Sequence, residues 1–425
     1  MIQQGTHAMM ATATHDEDAQ MKFVTALKDH VATRIGPGNR VVYEKVTEPG
    51  FRKRHGRAPK DRHEVHREMR RDQRWQMFGS LSRLYQELKQ AGGGAIVSRQ
   101  IGELNDRARR FRDSNRKLSS LRLNLALDIP RYQADIDIHC LPGGYHTDRS
   151  PDDVTAGAMY DPGVYYFAMG AMGPYNEDMG IAIPNWLRAT RPGFKPKRIL
   201  DMGCTVGHCT IPYTDAYPDA EVHAIDLAAP VLRYAHARAE AMGAAVHFSQ
   251  QNAEQTDFAD SSFDLIVSHI LLHETSFKAV YAIMKECHRL LRPGGIVVHA
   301  EAPVRNAEIH PFEAFAHDWA THYNAEPFWG TLHDMDLEKP AREANIDAAI
   351  LDINLDGMPI YPAAEALSAR GIPFVFSTGY EANVIDQRNS GIAVLQKPID
   401  EQMLRSALFA CMARSEAGHG KEPVS

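Results

Sequence analysis

The chain of 425 residues is long enough for two or three domains, because a single hydrophobic core seldom exceeds a few hundred residues. Hydrophobic residues make up 44% and charged residues 24%, and no apolar run approaches the roughly 20 residues of a membrane-spanning helix. The net charge of -7 argues against a protein whose main partner is nucleic acid.

The cysteine pattern indicates a reducing compartment. The five cysteines are odd in number and scattered, and they do not repeat at metal-ligand spacing. Such scatter suits a cytoplasmic protein better than a disulfide framework. The first twenty residues also lack the basic-then-apolar layout of a signal peptide. We therefore predict a cytoplasmic protein without a membrane anchor.

Residues 1–180 are polar, rich in His and Arg, and mostly helical in pattern, and we predict that they cap or cover a substrate site. Within them, the stretch Phe51–Arg74 has ten Lys or Arg against four Asp or Glu, a net charge of +6. One interpretation is an arm that binds a polyanion. The other, which we favour, is a solvated helix with interleaved charges.

Residues 181–340 alternate short apolar runs with amphipathic stretches. Helical segments separate the runs RILDMG, AEVHAID and VHFSQQ, and a further helical segment separates FDLIVSHIL from GIVVHAE, whereas FDLIVSHIL follows VHFSQQ without a helix. Alternation of strands and helices at this spacing is typical of βαβ units and predicts a parallel sheet in an α/β fold.

A glycine loop follows the first of these runs, with the pattern Asp201-x-Gly203-x-x-x-Gly207. Glycines in a strand-to-helix turn let the backbone approach a ligand, because they carry no Cβ. The dinucleotide pattern G-x-G-x-x-G is not met, since Thr205 and His208 occupy its second and third glycine positions. The loop instead resembles motif I of class I S-adenosylmethionine-dependent methyltransferases, with Thr205 in place of the middle glycine.

Further motifs of that family follow in order. Asp226 ends AEVHAID, 25 residues after Asp201, where an acid can accept hydrogen bonds from ribose hydroxyls. Asn252 and Ala253 follow at the position where the family commonly faces the adenine amino group, and HRLLRPGGIVVHAE resembles its last helix, turn and strand. The resemblance implies a Rossmann-like sheet that binds S-adenosylmethionine, and the cofactor-binding residues it implies are Asp201, Gly203, Cys204, Gly207, Asp226, Leu227, Asn252, Ala253 and Ser268.

Methyl transfer from a sulfonium mainly requires that the acceptor be positioned, with a base to take its proton. The segment SHILLHE offers His269 and His273 near the expected methyl position, and either is our candidate catalytic base. The structural alternative for His269 is a hydrogen-bonded core histidine. His273-Glu274 does not begin an H-E-x-x-H zinc motif, since Phe277 stands where the second histidine belongs, and we predict no metal site.

The acceptor is expected to be a small molecule enclosed by segments upstream of the core. Five tyrosines there can form an aromatic lid over an apolar or planar acceptor, or they can simply pack between turns. They are Tyr145, Tyr160, Tyr165, Tyr166 and Tyr175.

Residues 345–413 resemble the second half of a response-regulator receiver domain, a partial flavodoxin-like fragment, and residues 414–425 form a flexible tail. Asp352 stands at the phosphorylated aspartate position, Thr378 at the switch position and Lys397 at the conserved lysine. The resemblance implies a histidine kinase as partner. The acidic pair that holds Mg²⁺ is missing, which impairs phosphoryl transfer. A fragment of this kind exposes a sheet edge, so it either docks on the methyltransferase sheet or pairs with a second copy in a homodimer.

Two functions from different classes follow. The first is a methyltransferase acting on a small-molecule acceptor, with a vestigial or regulatory tail. The second is a phosphorelay signalling protein phosphorylated on Asp352, with a methyltransferase-like output or binding module. The nearly whole cofactor motifs favour the enzyme, and the failed glycine spacing weakens a third reading as a nicotinamide-dependent oxidoreductase.

Overall fold

The computed structural model of the chain describes residues 3–115, 117–301, 309–344, 346, 350–352, 376–378 and 394–396. The strands are β1 Ser120–Arg122, β2 Arg198–Met202, β3 Glu221–Asp226, β4 Val246–Gln250, β5 Phe263–His269, β6 Leu291–Ala300, β7 Ile350–Asp352, β8 Phe376–Thr378 and β9 Val394–Gln396. The α-helices are α1 His15–His30, α2 Gly36–Val42, α3 Glu48–His55, α4 Arg62–Met69, α5 Gln73–Arg112, α6 Arg131–Ala134, α7 Thr155–Phe167, α8 Asp178–Thr190, α9 Ile211–Ala216, α10 Ala229–Met242, α11 Phe277–Leu290, α12 Pro311–His317, α13 Trp319–Tyr323, α14 Trp329–Asp334 and α15 Glu338–Glu343.

Local sequence signals account for several helix ends. Thr14 and Glu17 form a capping box at the start of α1, where each side chain accepts a hydrogen bond from the other residue's backbone N–H. Ser276 caps α11 by accepting from the N–H of Ala279. Gly243 ends α10 in the left-handed conformation, with φ of 75°. In the described ranges, no helix combines the length and the apolarity needed to cross a membrane.

A seven-stranded parallel sheet organises the protein, in the order β1-β4-β3-β2-β5-β6-β7. Its five central strands are the five apolar runs predicted from the sequence, so the Rossmann-like α/β fold is confirmed. The edge strand β1 was not predicted, whereas β7, which ends at Asp352, lies where the receiver-like resemblance implies a strand. β1 comes from the N-terminal region and pairs with β4, whereas β7 pairs with β6 at the opposite edge.

The central strands are buried on both faces, as expected for a parallel sheet covered by helices. Neighbouring residues on β2 show this directly, because Ile199 packs into one hydrophobic cluster and Leu200 into another. The first cluster includes Leu232 and Ala235 of α10, and the second includes Ile283 of α11. The strand ends that bear the predicted site residues are therefore held rigidly from both sides.

The N-terminal helices pack directly on this core. The 40-residue helix α5 contacts α1, α7 and α10. At the junction, the carboxylate of Asp161 on α7 contacts His7 at 2.7 Å, His208 at 2.7 Å, and the hydroxyl of Tyr234 at 2.8 Å. Arg238 lies 3.4 Å from the same carboxylate. These partners lie on an N-terminal segment, the loop before α9, and α10, so one buried acid joins the two regions.

The basic stretch predicted at residues 51–74 pairs many of its own charges. Arg57 contacts Glu64 at 2.7 Å and Arg54 contacts Glu68 at 2.5 Å. The buried Arg62 lies 2.6 Å from Asp318, on the segment between α12 and α13. These ion pairs match the interpretation as helices with interleaved charges.

A buried histidine in β6 is expected to make the free energy of unfolding depend on pH in the acid range. Burial lowers the pKa of His299 to about 4, and its Nδ1 lies 2.7 Å from the hydroxyl of Ser268. An unfolded histidine titrates near 6.5, so the folded state resists protonation and loses stability as the pH falls from about 6.5 to 4. We expect this residue alone to lower the free energy of unfolding by about 3 kcal/mol between pH 7 and pH 4. Urea unfolding of His299→Asn at both pH values should show a smaller loss than the parent chain, and equal losses would contradict this account.

Candidate active site

The glycine loop after β2 has left-handed backbone conformations at three residues, one of which is a threonine. Gly203, Thr205 and Gly207 all have positive φ, at 73°, 46° and 77°. A non-glycine residue seldom adopts this left-handed region, so Thr205 holds the backbone shape that a glycine would favour there. A Cβ on Gly203 would lie 2.6 Å from a methyl carbon of Leu271. Glycine is therefore required at position 203.

Asp226 ends β3 directly beside this loop. One carboxylate oxygen accepts a hydrogen bond from the N–H of Thr205 at 3.0 Å, and the other accepts from the N–H of Ala228 at 2.9 Å. Burial raises the pKa of Asp226, and those two N–H groups oppose the rise. Each oxygen keeps a further lone pair, so the fixed carboxylate can accept two more hydrogen bonds from a vicinal diol.

A cavity opens at the carboxyl ends of the central strands. Five of the nine predicted cofactor residues line it, namely Gly203, Asp226, Leu227, Asn252 and Ala253. Asn252 uses its carbonyl oxygen to accept from the N–H of Glu254 at 2.9 Å. In an open α/β sheet, this end of the strands is where ligands bind.

The other four predicted cofactor residues do not line the cavity. Asp201 is buried and accepts from the hydroxyl of Thr210 at 2.5 Å. Cys204 is also buried, and Gly207 serves the turn through its positive φ. Ser268 faces His299 in the core. For Asp201 and Ser268 the cause is the alternation of side chains along a strand, which turns a residue at the strand end toward either the ligand or the core, whereas Cys204 and Gly207 lie in the loop after β2.

Of the two candidate bases, His269 lines the cavity, whereas His273 does not. His269 lines the cavity with Nδ1 at 3.3 Å from Asp201 and Nε2 at 3.3 Å from the hydroxyl of Tyr213. His273 is buried, with Nδ1 at 2.7 Å from Glu301. Burial lowers the pKa of His273, but the carboxylates of Glu301 and Glu274 outweigh this effect and raise that pKa well above its usual value.

The sequence did not reveal a group that we call the His–Glu cluster, in which His273, Glu301 and Glu326 are buried and His139 and Glu274 are half-buried. His139 and Glu274 line the cavity wall, and the His139 Nε2 lies 3.0 Å from Glu274 and 3.4 Å from Glu326. Burial lowers the pKa of His139, but these two carboxylates raise it to about 9. The members come from four separated segments, so no local motif could have announced the cluster.

Two of the five predicted lid tyrosines, Tyr145 and Tyr160, line the cavity. Their rings meet edge to face with centroids 5.4 Å apart, and the hydroxyl of Tyr145 lies 2.5 Å from the Nδ1 of His139. Tyr165 and Tyr166 pack against each other, whereas Tyr175 lines a separate cavity beside α8 and α9. Of the five tyrosines predicted to form an aromatic lid, Tyr145 and Tyr160 are therefore the two that line this cavity.

The three predicted phosphorylation-site residues are not brought together in the described part of the chain. Asp352 ends β7 in the large sheet, whereas Thr378 ends β8, which pairs with β9 in a separate two-stranded sheet. Lys397 lies outside the described residues. The docking of β7 on the methyltransferase-like sheet is one of the two arrangements expected for the exposed edge.

Comparison with known proteins agrees with this geometry. A family described as "Methyltransferase domain" matches residues 199–295. The chain is 35% identical over 108 residues to a demethylmenaquinone methyltransferase of Thermus thermophilus, covering 25% of this chain and 48% of that protein. It is also 35% identical over 103 residues to a malonyl-[acyl-carrier protein] O-methyltransferase of Pseudescherichia vulneris, covering 24% and 38%. The chain thus spans half or less of the length of these relatives.

Solved structures that are similar to part of the chain include two methyltransferases. A putative methyltransferase of Bacillus halodurans is 23% identical, with 39% of this chain and 67% of that chain covered and a TM-score of 0.32. A phosphoethanolamine N-methyltransferase of Haemonchus contortus, in complex with S-adenosyl-L-methionine, is 20% identical, with 49% and 46% covered and a TM-score of 0.35. The family match covers residues 199–295, which include the glycine loop, β3, β4 and β5.

Proposed function

We propose that this protein transfers a methyl group from S-adenosylmethionine to an acidic or hydroxylated small molecule, free or attached to a carrier. The observation that carries the proposal is the Asp226 carboxylate, which the N–H groups of Thr205 and Ala228 hold at the cavity wall beside a left-handed glycine loop. A fixed carboxylate with free lone pairs suits the two hydroxyls of a ribose.

The lining residues fit the parts of the cofactor in turn. Asp226 would bind the ribose, while Leu227 and Ala253 offer apolar contact to the adenine and Asn252 offers an amide for its edge. The backbone at Gly203 would face the amino-acid end, because no Cβ blocks its approach. When bound, S-adenosylmethionine supplies an electrophilic methyl group on a sulfonium.

The chain's own part in the reaction is to position the acceptor and remove its proton. His269 is the proposed base, since it lines the cavity while Asp201 and Tyr213 restrain its ring. Asp201 is then a positioning residue. The paired rings of Tyr145 and Tyr160 would exclude water from the reacting atoms and offer an apolar face to the acceptor.

The names of the two relatives support the proposed chemical class of the acceptor. Their names describe methylation of demethylmenaquinone and O-methylation of a malonyl group on a carrier protein. A test would incubate the full chain with S-adenosylmethionine and a panel of quinols, phenols and acyl carboxylates, and would measure S-adenosylhomocysteine. The proposal would be contradicted if, for every compound in the panel, the turnover of the full chain were no higher than the turnover of Asp226→Ala.

A substitution at His269 tests the role of the base once an acceptor is found. His269→Ala should lower kcat about 100-fold, the lower range for a general base, because the donor is already reactive. The affinity for S-adenosylmethionine should stay within a few-fold. The matched control is His247→Ala. The His247 ring lies on β4 and contacts Ser120 and His223 away from the cavity, so its loss should leave kcat unchanged. An unchanged kcat in His269→Ala would exclude His269 as the base.

Three further expectations remain predictions. They are phosphorylation of Asp352 by a histidine kinase in a receiver-like tail, a homodimer formed through that tail, and a cytoplasmic location. The first rests on the motif positions of Asp352, Thr378 and Lys397 alone. The proposed domain bounds, 1–180, 181–340, 345–413 and 414–425, also remain predictions.

A further inference from the structure

A hydroxyl on the wall of the cofactor cavity is held by a histidine that two carboxylates face. Tyr145, His139 and Glu274 line this cavity together with Asp226. The Tyr145 hydroxyl oxygen lies 2.5 Å from the Nδ1 of His139. On the other side of the ring, the His139 Nε2 lies 3.0 Å from Glu274 Oε1 and 3.4 Å from Glu326 Oε1. His139 therefore connects the tyrosine hydroxyl to the carboxylates of the His–Glu cluster.

The partners of His139 decide where its protons lie. A carboxylate can only accept hydrogen bonds, so the Nε2 of His139 donates. Burial lowers the pKa of His139, but Glu274 and Glu326 raise it to about 9, so at neutral pH the ring carries a proton on Nδ1 as well. The Nδ1–H then donates to the oxygen of Tyr145. Burial also raises the pKa of the Tyr145 hydroxyl well above its usual value, so this hydroxyl keeps its own proton.

The Tyr145 proton is the polar hydrogen that this part of the wall offers to a ligand. In the part of the chain that the structure describes, His139 is the hydrogen-bond partner of the hydroxyl, and it uses a lone pair of the oxygen rather than the proton. The Oε1 of Glu274 lies 3.0 Å from the Nε2 of His139 and 3.6 Å from the Nε2 of His273, and its Oε2 is buried. The Tyr145 ring packs edge to face on Tyr160, so a restrained donor lies beside two apolar ring faces.

We propose that Tyr145 donates a hydrogen bond to the methyl acceptor and that His139 is the positioning residue that leaves the Tyr145 proton free to do so. The inference rests on the proposed function and defines the acceptor further, as a planar molecule with a carboxylate or carbonyl oxygen at this position. A second oxygen of the acceptor, deprotonated by His269, would attack the methyl group. A protonated amine carries only N–H donors, so it would meet the Tyr145 proton without an acceptor atom.

The donor can be tested with two probes of similar shape, benzoate and benzylamine, which is protonated at neutral pH. Each is titrated calorimetrically into the full chain, with and without S-adenosylhomocysteine. The parent chain should bind benzoate at least about 10-fold more tightly than benzylamine, and Tyr145→Phe should weaken benzoate binding about 10- to 100-fold, the usual effect of one hydrogen bond to a charged group. The affinity for S-adenosylhomocysteine should stay within a few-fold, because Tyr145→Phe removes only the hydroxyl.

The matched control is Tyr166→Phe, which also removes one hydroxyl. Tyr166 packs against Tyr165 and is not among the residues that line this cavity. Its loss should leave the binding of benzoate and of S-adenosylhomocysteine unchanged.

Variants of His139 test whether this residue acts through Tyr145. His139→Leu removes the donor to the hydroxyl and should weaken benzoate binding, and adding Tyr145→Phe to it should weaken binding no further. His139→Asn keeps an N–H near the position of Nδ1, so it should bind benzoate more tightly than His139→Leu. Additive losses in the double variant would overturn the positioning role of His139.

Three results would overturn the donor role of Tyr145. They are a parent chain that does not bind benzoate, equal affinity of the parent for the two probes, and benzoate affinity unchanged in Tyr145→Phe. The proposed function is separated by the S-adenosylhomocysteine titration of the same samples. Selective benzoate binding without S-adenosylhomocysteine binding would sink the methyltransferase proposal and leave the donor, and the reverse result would sink only the donor.

Discussion

Replacement of Asp226 by alanine is expected to weaken S-adenosylmethionine binding by at least about 100-fold, because two hydrogen bonds to a charged group are lost at about 1.5–3 kcal/mol each. The carboxylate is already held by the N–H groups of Thr205 and Ala228, so little ordering is needed when a diol arrives. Calorimetric titration of the purified variant would measure the loss.

The fold should survive this substitution. Asp226 accepts the N–H groups of Thr205 and Ala228, so its removal costs about 0.5–1.5 kcal/mol for each of these two hydrogen bonds. A matched control is Asp219→Ala, an exposed aspartate just before β3, which should bind the cofactor like the parent chain. Affinity retained within a few-fold in Asp226→Ala, with an unchanged circular dichroism spectrum, would remove the ribose assignment.

The second large effect is expected at Asp161. Asp161→Ala should lower the free energy of unfolding by about 3–5 kcal/mol, the usual result when one partner of a buried ion pair is removed. The change leaves the buried Arg238, His208 and Tyr234 without their shared acceptor. Although burial raises the pKa of Asp161, Arg238 and the two histidines outweigh this effect and hold that pKa well below its usual value, so the group is charged at neutral pH.

Urea unfolding followed by tryptophan fluorescence would measure this loss. The control is Asp257→Ala, which breaks an exposed ion pair between Arg122 of β1 and the core domain. Such a pair contributes about 1 kcal/mol or less. Equal losses in the two variants would show that Asp161 does not join the N-terminal helices to the methyltransferase-like core in the way described.

The sequence could predict the parts of the molecule that local pattern determines. Each of the five central strands is an apolar run in the sequence, helices follow β2, β3 and β5, and Asp226 lies at the end of β3 beside the glycine loop. The backbone of Thr205 shows that a loop can keep its shape after one glycine is lost. Composition and spacing contain this information without any knowledge of tertiary contacts.

The remaining features depend on tertiary packing. β1 has only three residues, which is too short to show a period, and it is a strand only because β4 offers an edge. Asp201 and Ser268 face Thr210 and His299 rather than the cavity, a choice that neighbouring elements decide. The His–Glu cluster combines a turn after β5, the end of β6 and two distant loops, so only the folded chain reveals it.

The central claim, that the cavity beside Asp226 is a cofactor site for methyl transfer, is tested most directly by calorimetric titration of the full chain with S-adenosylmethionine, with NAD as the comparison. We predict saturable binding of S-adenosylmethionine at one site per chain and no saturable binding of NAD. The absence of S-adenosylmethionine binding by the folded protein, or preferential binding of NAD, would contradict the account.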